Sequence, residues 1–158
     1  MSDASFDDGR EAPLNLGAQD SDDLQVISTL LQDAVFPASE MSWRAADRRF
    51  AILLNRFRWE DRSAAEARGR AYERVQSLLV IDNVMGVASQ GVDRKDADTV
   101  LSLLSIAFEP GEDGTGHVEL ILAGDGGLRL SVEALEVSVR DVTRPYRALS
   151  GHVPDHEI

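Results

Sequence analysis

Between positions 43 and 72 the chain gathers side chains of the kinds that hold other molecules: Trp43, Asn55, Arg56, Phe57, Arg58, Trp59 and Tyr72. Aromatic rings and arginine dominate the energetic centres of protein interfaces. Rings alternating with arginine also stack and neutralise single-stranded nucleic acid. Trp43, Asn55, Arg56, Arg58, Trp59 and Tyr72 are therefore the candidate interaction residues. A plainer arrangement competes with this one: Trp43, Phe57 and Trp59 close one end of a core while Arg56 and Arg58 face water. The plainer arrangement is the expectation.

Other chemistry is weaker in the pattern. Gly124-Asp125-Gly126-Gly127 resembles a phosphate loop in composition, but such loops lead into a helix. Here the alternating run Leu128–Val132 follows, so the glycines read as a hairpin turn. His152 and His156 have a zinc-like spacing without a third strong ligand beside them. His117 lacks an identifiable orienting partner for general-base work. No serine lies in a nucleophile-elbow pattern. Glu133, Glu136 and Asp141 read as a solvated strand face rather than as a paired acid and base. Cysteine is absent, which removes disulfides, thiolate metal sites and a thiol nucleophile. No catalytic, cofactor-binding or metal-binding residue is assigned, no cofactor is expected, and the reading leans away from an enzyme.

The elements that must position these side chains follow from periodicity. Arg49 to Asp61, RFAILLNRFRWED, starts apolar on both sides and then becomes one-sided, as a strand running from a core to its rim would. Met41 to Ala45 precedes it as a hairpin partner with Trp43 inward, and Ala46-Asp47-Arg48 supply the turn. Before the hairpin, Leu24, Ile27, Leu31, Ala34 and Val35 recur at helical spacing. They predict one amphipathic helix from about Ser21 to Val35, capped by Asp20 or Ser21 and stopped by Pro37, with Gln25, Ser28 and Gln32 on the opposite side. Leu14 to Ala18 reads as a short edge strand. Asp61 to Gly69 reads as a helical turn or a loop. Arg70–Ile81, Val84–Gln90, Val100–Phe108 and Val118–Ala123 read as strands, the third apolar on both faces and so central. Leu128 to Val142 is one long strand whose apolar parity changes near Glu133-Ala134, which requires a bulge or bend.

The segment Ser77–Val92 overlays Gly127–Val142 without a gap, setting Leu78 on Leu128, Val80 on Leu130, Met85 on Leu135 and Val87 on Val137. Both segments change parity at the same place, near Asn83 and Glu133, and both follow an apolar strand. A duplication of this kind implies two similar antiparallel units around a pseudo-twofold axis. Two bent strands that are alike by chance are the alternative.

The expected fold is α+β: mainly antiparallel strands, about seven or eight, in a curved sheet or small barrel-like core with one N-terminal helix. At 158 residues the chain suits one domain. Its expected organisation is an acidic disordered tail over 1–12, a single domain over 13–149 and a flexible tail over 150–158. The N-terminus has no basic flank and no apolar stretch of the secretory kind, and no apolar run approaches the ~20 residues of a membrane span. A cytoplasmic protein without membrane contact is expected.

The net charge of −12 opposes general nucleic-acid binding. The charge is uneven, with nine arginines against five acids between positions 44 and 74. A basic patch there is the one route to nucleic acid, and interleaved ion pairs are the competing reading.

The runs RRFAILLNRFRWE, VLSLLSIAFEP and GHVELILAGDGGLRLSVEALEVSVRDV, with the helix end LLQDAVF, resemble the alphaproteobacterial family catalogued as domain of unknown function 2948. The resemblance covers about Leu14 to Val142. It implies a small soluble bacterial protein and carries no activity, cofactor or catalytic residue with it. Three functions remain: a non-catalytic protein-interaction or regulatory module, a small-molecule-binding barrel or enzyme with a site assembled from distant residues, and nucleic-acid contact through Arg44–Arg74. The first is preferred, with another protein as partner.

Overall fold

The computed structural model describes residues 12–69, 73–92 and 97–147. The sequence-predicted tails, Tyr72, His152 and His156 lie outside these residues, apart from Ala12 at the end of the first tail. Among the described residues the chain forms β1 (Asn15–Ala18), α1 (Ser21–Leu30), β2 (Val35–Pro37), β3 (Met41–Arg44), β4 (Arg49–Phe57) and α2 (Arg62–Arg68). There follow β5 (Glu73–Ile81), β6 (Val84–Gln90), β7 (Val100–Pro110), β8 (Gly116–Leu122), β9 (Gly127–Val132), β10 (Val137–Asp141) and β11 (Tyr146–Arg147). The sheet runs β1-β10-β5-β4-β2-β7-β8-β9-β6, with β3 added to β4 and β11 to β5. Every pairing is antiparallel. The α+β expectation holds as a curved sheet rather than a closed barrel, because the path of pairing ends at β1 and β6. Strands beyond the expected seven or eight are short ones, such as three-residue β2 and two-residue β11.

The two overlaid segments pair with each other. Ile81 of β5 lies opposite Val137 of β10, and Val84 of β6 lies opposite Val132 of β9. The bends meet in the middle, where Asp82 N–H donates to the Glu136 carbonyl and Glu133 N–H to the Asn83 carbonyl. Asn83 takes a φ of 60°, a left-handed conformation that asparagine tolerates, and this reverses the parity. β4 lies beside β5, and β8 beside β9. The pairing thus has the pseudo-twofold form that the overlay implies.

Asp20 caps α1 by accepting from Asp23 N–H at 2.8 Å. Leu24, Ile27 and Leu31 are fully buried with Phe36, Ile52, Leu54, Leu79 and Leu130 in one core. Burial of each such side chain contributes about 1.5–3 kcal/mol. The helix ends at Leu30, before the expected Val35. Asp33 takes a φ of 66°, and its N–H bonds to the Leu103 carbonyl while Leu103 N–H bonds to the Ala34 carbonyl. Pairing with β7 therefore claims the backbone that helical periodicity would have assigned to α1. Ser28, expected on the solvent side, is buried and accepts from Ile106 N–H at 2.9 Å.

That bond is the test of how α1 is fastened to β7. Removing the acceptor leaves a buried N–H unpaired, at a cost of about 1–3 kcal/mol. Ser28→Ala should therefore lower the urea unfolding free energy by that amount, and exposed Thr29→Ala by less than half of it.

Candidate functional site

β4 carries the candidate residues, and its two ends differ. Phe50, Ile52 and Leu54 point into the core at one end. Two residues further along the same parity stands Arg56, whose side chain is wholly buried. The expectation that Arg56 and Arg58 face water is overturned. A strand alternates with a period of two, so a residue in step with Phe50, Ile52 and Leu54 turns inward. Ser77 on β5 and Asp141 on β10 are also in step with buried apolar neighbours, and the register sets them opposite each other.

These inward polar groups satisfy one another. Arg56 Nε and Nη2 donate to the two Asp141 carboxylate oxygens, each at 3.0 Å. Nη1 and Nη2 donate to the two Glu60 oxygens at 2.9 and 2.7 Å. Nε also reaches Ser77 Oγ at 3.2 Å, and Nη1 the Phe57 carbonyl at 3.4 Å. Asp141 further accepts from the Ser77 hydroxyl at 2.7 Å and from Leu14 N–H at 2.8 Å. Alongside, buried Arg58 donates to Glu73 and lies 3.6 Å from Asp61. The network joins β1, β4, β5, β10 and the turn Trp59–Asp61.

Burial by itself would lower the Arg56 pKa, but the hydrogen bonds and charges of Glu60 and Asp141 outweigh it and raise it. Burial likewise pushes the Asp141 carboxyl upward, and the bonds from Arg56, Ser77 and Leu14 N–H outweigh that and hold it below the ordinary carboxylate range. A general acid or base works with a pKa near the ambient pH and a free lone pair or proton. The Arg56–Asp141 pair has neither feature. Its chemistry is that of a clamp.

The remaining candidates divide. Trp59 donates its indole N–H to the Gln32 carbonyl at 3.0 Å and meets Phe57 edge-on at 4.7 Å between centroids. The Asn55 amide donates to the Tyr146 hydroxyl. Trp43, expected inward, is 36% exposed on β3. Among the described residues β3 has one hydrogen-bonded neighbour, β4, and no second strand covers it. Trp43 lies opposite Phe50, seven residues and roughly 24 Å along β4 from Phe57. The candidate cluster is therefore two places, a clamp at one end of β4 and an aromatic rim at the other.

At that rim a cleft of about 370 Å³ is lined by Ala38, Ser39, Met41, Trp43, Phe50, Val87, Ala97 and Leu128. It lies between β3 and β6, where the sheet stays open. The arginines of the basic segment are mostly neutralised. Arg48 bonds Glu133 at 2.6 Å, Arg49 bonds Asp82 at 2.8 Å and Arg62 bonds Glu66 at 2.9 Å. Glu133 and Asp141 thus serve different arginines and do not converge. His117 sits on β8. Among the described residues no group of three or more His, Cys, Asp or Glu is gathered to hold a metal ion. No helix among them is long and apolar enough to cross a membrane.

Fold and site together define an α+β protein built on an open antiparallel sheet, with an arginine clamp in its interior and an apolar cleft at its open seam. The chain belongs to the family described as protein of unknown function (DUF2948), which matches residues 14–156. No curated protein and no solved structure matches it.

Removing one member of a buried pair strands the other charge. Arg56→Met should lower the unfolding free energy by about 3–5 kcal/mol. Arg56→Lys should recover little of it, because one ammonium cannot serve two carboxylates bidentately. The Asp141 pKa is lower folded than unfolded, so its contribution is complete above the unfolded value of ~3.9 and lost as pH falls through the folded one. Urea melts from pH 7 to pH 2 should show the gap between wild type and Asp141→Asn narrowing only below about pH 4.

Proposed function

We propose that this protein is a non-catalytic protein-interaction or regulatory module of the bacterial cytoplasm, carried by a single domain over residues 13–149. The observation that carries the reading is the cleft at the open seam. Its described lining residues carry apolar side chains except for Ser39, and Trp43 among them is exposed. Small-molecule sites pair an apolar wall with several convergent polar groups. Among its described lining side chains this cleft offers one hydroxyl and the Trp43 indole N–H, which suits an apolar anchor from another protein. The polar groups that could have served a substrate, Arg56, Asp141 and Glu60, are committed to one another inside the sheet. The pairing of Arg48, Arg49 and Arg62 with carboxylates likewise weighs against nucleic-acid contact.

The test is affinity capture from a lysate of the native host at low salt, with wild type and Trp43→Ala in parallel. A stoichiometric protein partner held by wild type, and held at least tenfold less by Trp43→Ala, is the expected result. An inert wild-type monomer with no stoichiometric partner would overturn the reading.

A further inference from the structure

The two pseudo-equivalent halves of the sheet differ at one edge. In the overlay that sets Val87 on Val137, residues 87–90 of β6 correspond to residues 137–140 of β10. The outer edge of β10 is covered by β1, through Asn15↔Arg140, Leu16↔Val139, Gly17↔Ser138 and Ala18↔Val137. Among the described residues β6 ends the sheet with β9 as its one neighbour. On its outer side, among the described residues, its backbone makes one further bond, from Val84 N–H to the Arg48 carbonyl. Beyond Val84 no described residue pairs with this edge.

Sheet edges are normally guarded by charge, proline, a bulge or a covering element, because their unpaired N–H and C=O groups template another strand. β6 reads Val-Met-Gly-Val-Ala-Ser-Gln, with no charge and no proline, in a chain that is 28% charged. Its bulge, between Val84 and Gly86, leaves Val87–Gln90 in regular pairing with β9. Val87 and Ser89 lie opposite buried Leu130 and Leu128, so they turn to the core side, where Val87 and Leu128 line the cleft. An exposed ladder beside pockets for alternate side chains is the arrangement that accepts an added strand.

We propose that the outer edge of β6 over Val87–Gln90 is a strand-addition site for an extended apolar segment of a partner protein. The segment runs antiparallel to β6, as β1 runs along β10, and two alternate side chains enter the cleft. This deepens the interaction reading above and rests on it. Among the described residues the cleft lining carries no charged side chain, so an apolar side chain on the segment suits it better than a charged one, which would lose its hydration without gaining a partner from them. β1 shows the size that fits, with Leu16 and Ala18 opposite buried Val139 and Val137.

A second copy of this chain fits less well. β6 is about 24 Å long, and contact ~10 Å deep along it buries roughly 240 Å² per partner. A stable interface needs about 800 Å² per partner. Two chains of net charge −12 also repel. An extended segment carries no such repulsion and buries its side chains in the cleft itself.

The probe is a displayed library of random twelve-residue peptides selected on the full chain. Selected peptides should carry apolar residues at alternate positions. At saturation they should slow amide exchange of Met85–Gln90 at least tenfold, a measurement on the unaltered protein. Ser89→Lys, which puts an ammonium on the core-side face of β6 two residues from Val87 of the cleft, should raise their Kd at least tenfold. Failure to select any peptide, or selected peptides that protect other residues and ignore Ser89→Lys, would overturn the site. The two proposals separate on the captured partner. A partner that needs Trp43 but binds Ser89→Lys with full affinity sinks strand addition and leaves the interaction module standing. Absence of both a partner and a selected peptide sinks both.

Discussion

The fold depends on one guanidinium that has no route to water. A buried arginine costs several kcal/mol in lost hydration, and that cost is offset only when its donors are met in good geometry. Arg56 meets the condition by gripping two carboxylates bidentately, one from its own chain segment and one from β10. The consequence is a constraint on register. Sliding β4 by one residue would turn Arg56 to the opposite face and leave Asp141 and Ser77 buried without it. A two-residue slide would keep apolar side chains on the core face but carry Arg56 away from Asp141, so the clamp discriminates among pairings that hydrophobic burial alone would leave close in energy.

The clamp also explains how the sheet is ordered around β5. Asp141 binds Arg56 from β4 and Ser77 from β5, and it takes the Leu14 N–H at the entry to β1. Four neighbouring strands are thereby tied at one end. The far end of the same strands is tied at the surface instead, by Arg49 to Asp82 and Arg48 to Glu133, and there β5 and β10 bend away into β6 and β9. The bends let each long strand serve both halves of the sheet, which curves it without closing it. An open seam between β3 and β6 follows from that geometry, as does an exposed tryptophan beside it.

Much of this was legible residue by residue. β6, β7 and the glycine turn between β8 and β9 stand where periodicity placed them, because alternation and turn chemistry are local properties. The parity change at Asn83 and Glu133 was likewise visible, and pairing gave it a structural partner. Arg56 reads as exposed only when charge is set above period: it is in step with Leu54, and Asp141 is in step with Val139. The end of α1 departs from its periodicity for a different reason. Leu31 and Ala34 are buried as a helix would bury them, but β7 competes for their backbone.

The sequence by itself determined which segments alternate, where they bend, and that helix and sheet share one apolar interior. Those outcomes rest on the spacing of side chains along a single segment. Only the tertiary structure decided which arginines are interior, which carboxylate answers each, and that Trp43 and Trp59 belong to different places. Such outcomes depend on which strands become neighbours, and neighbours are chosen by the joint burial and pairing of residues far apart in the chain.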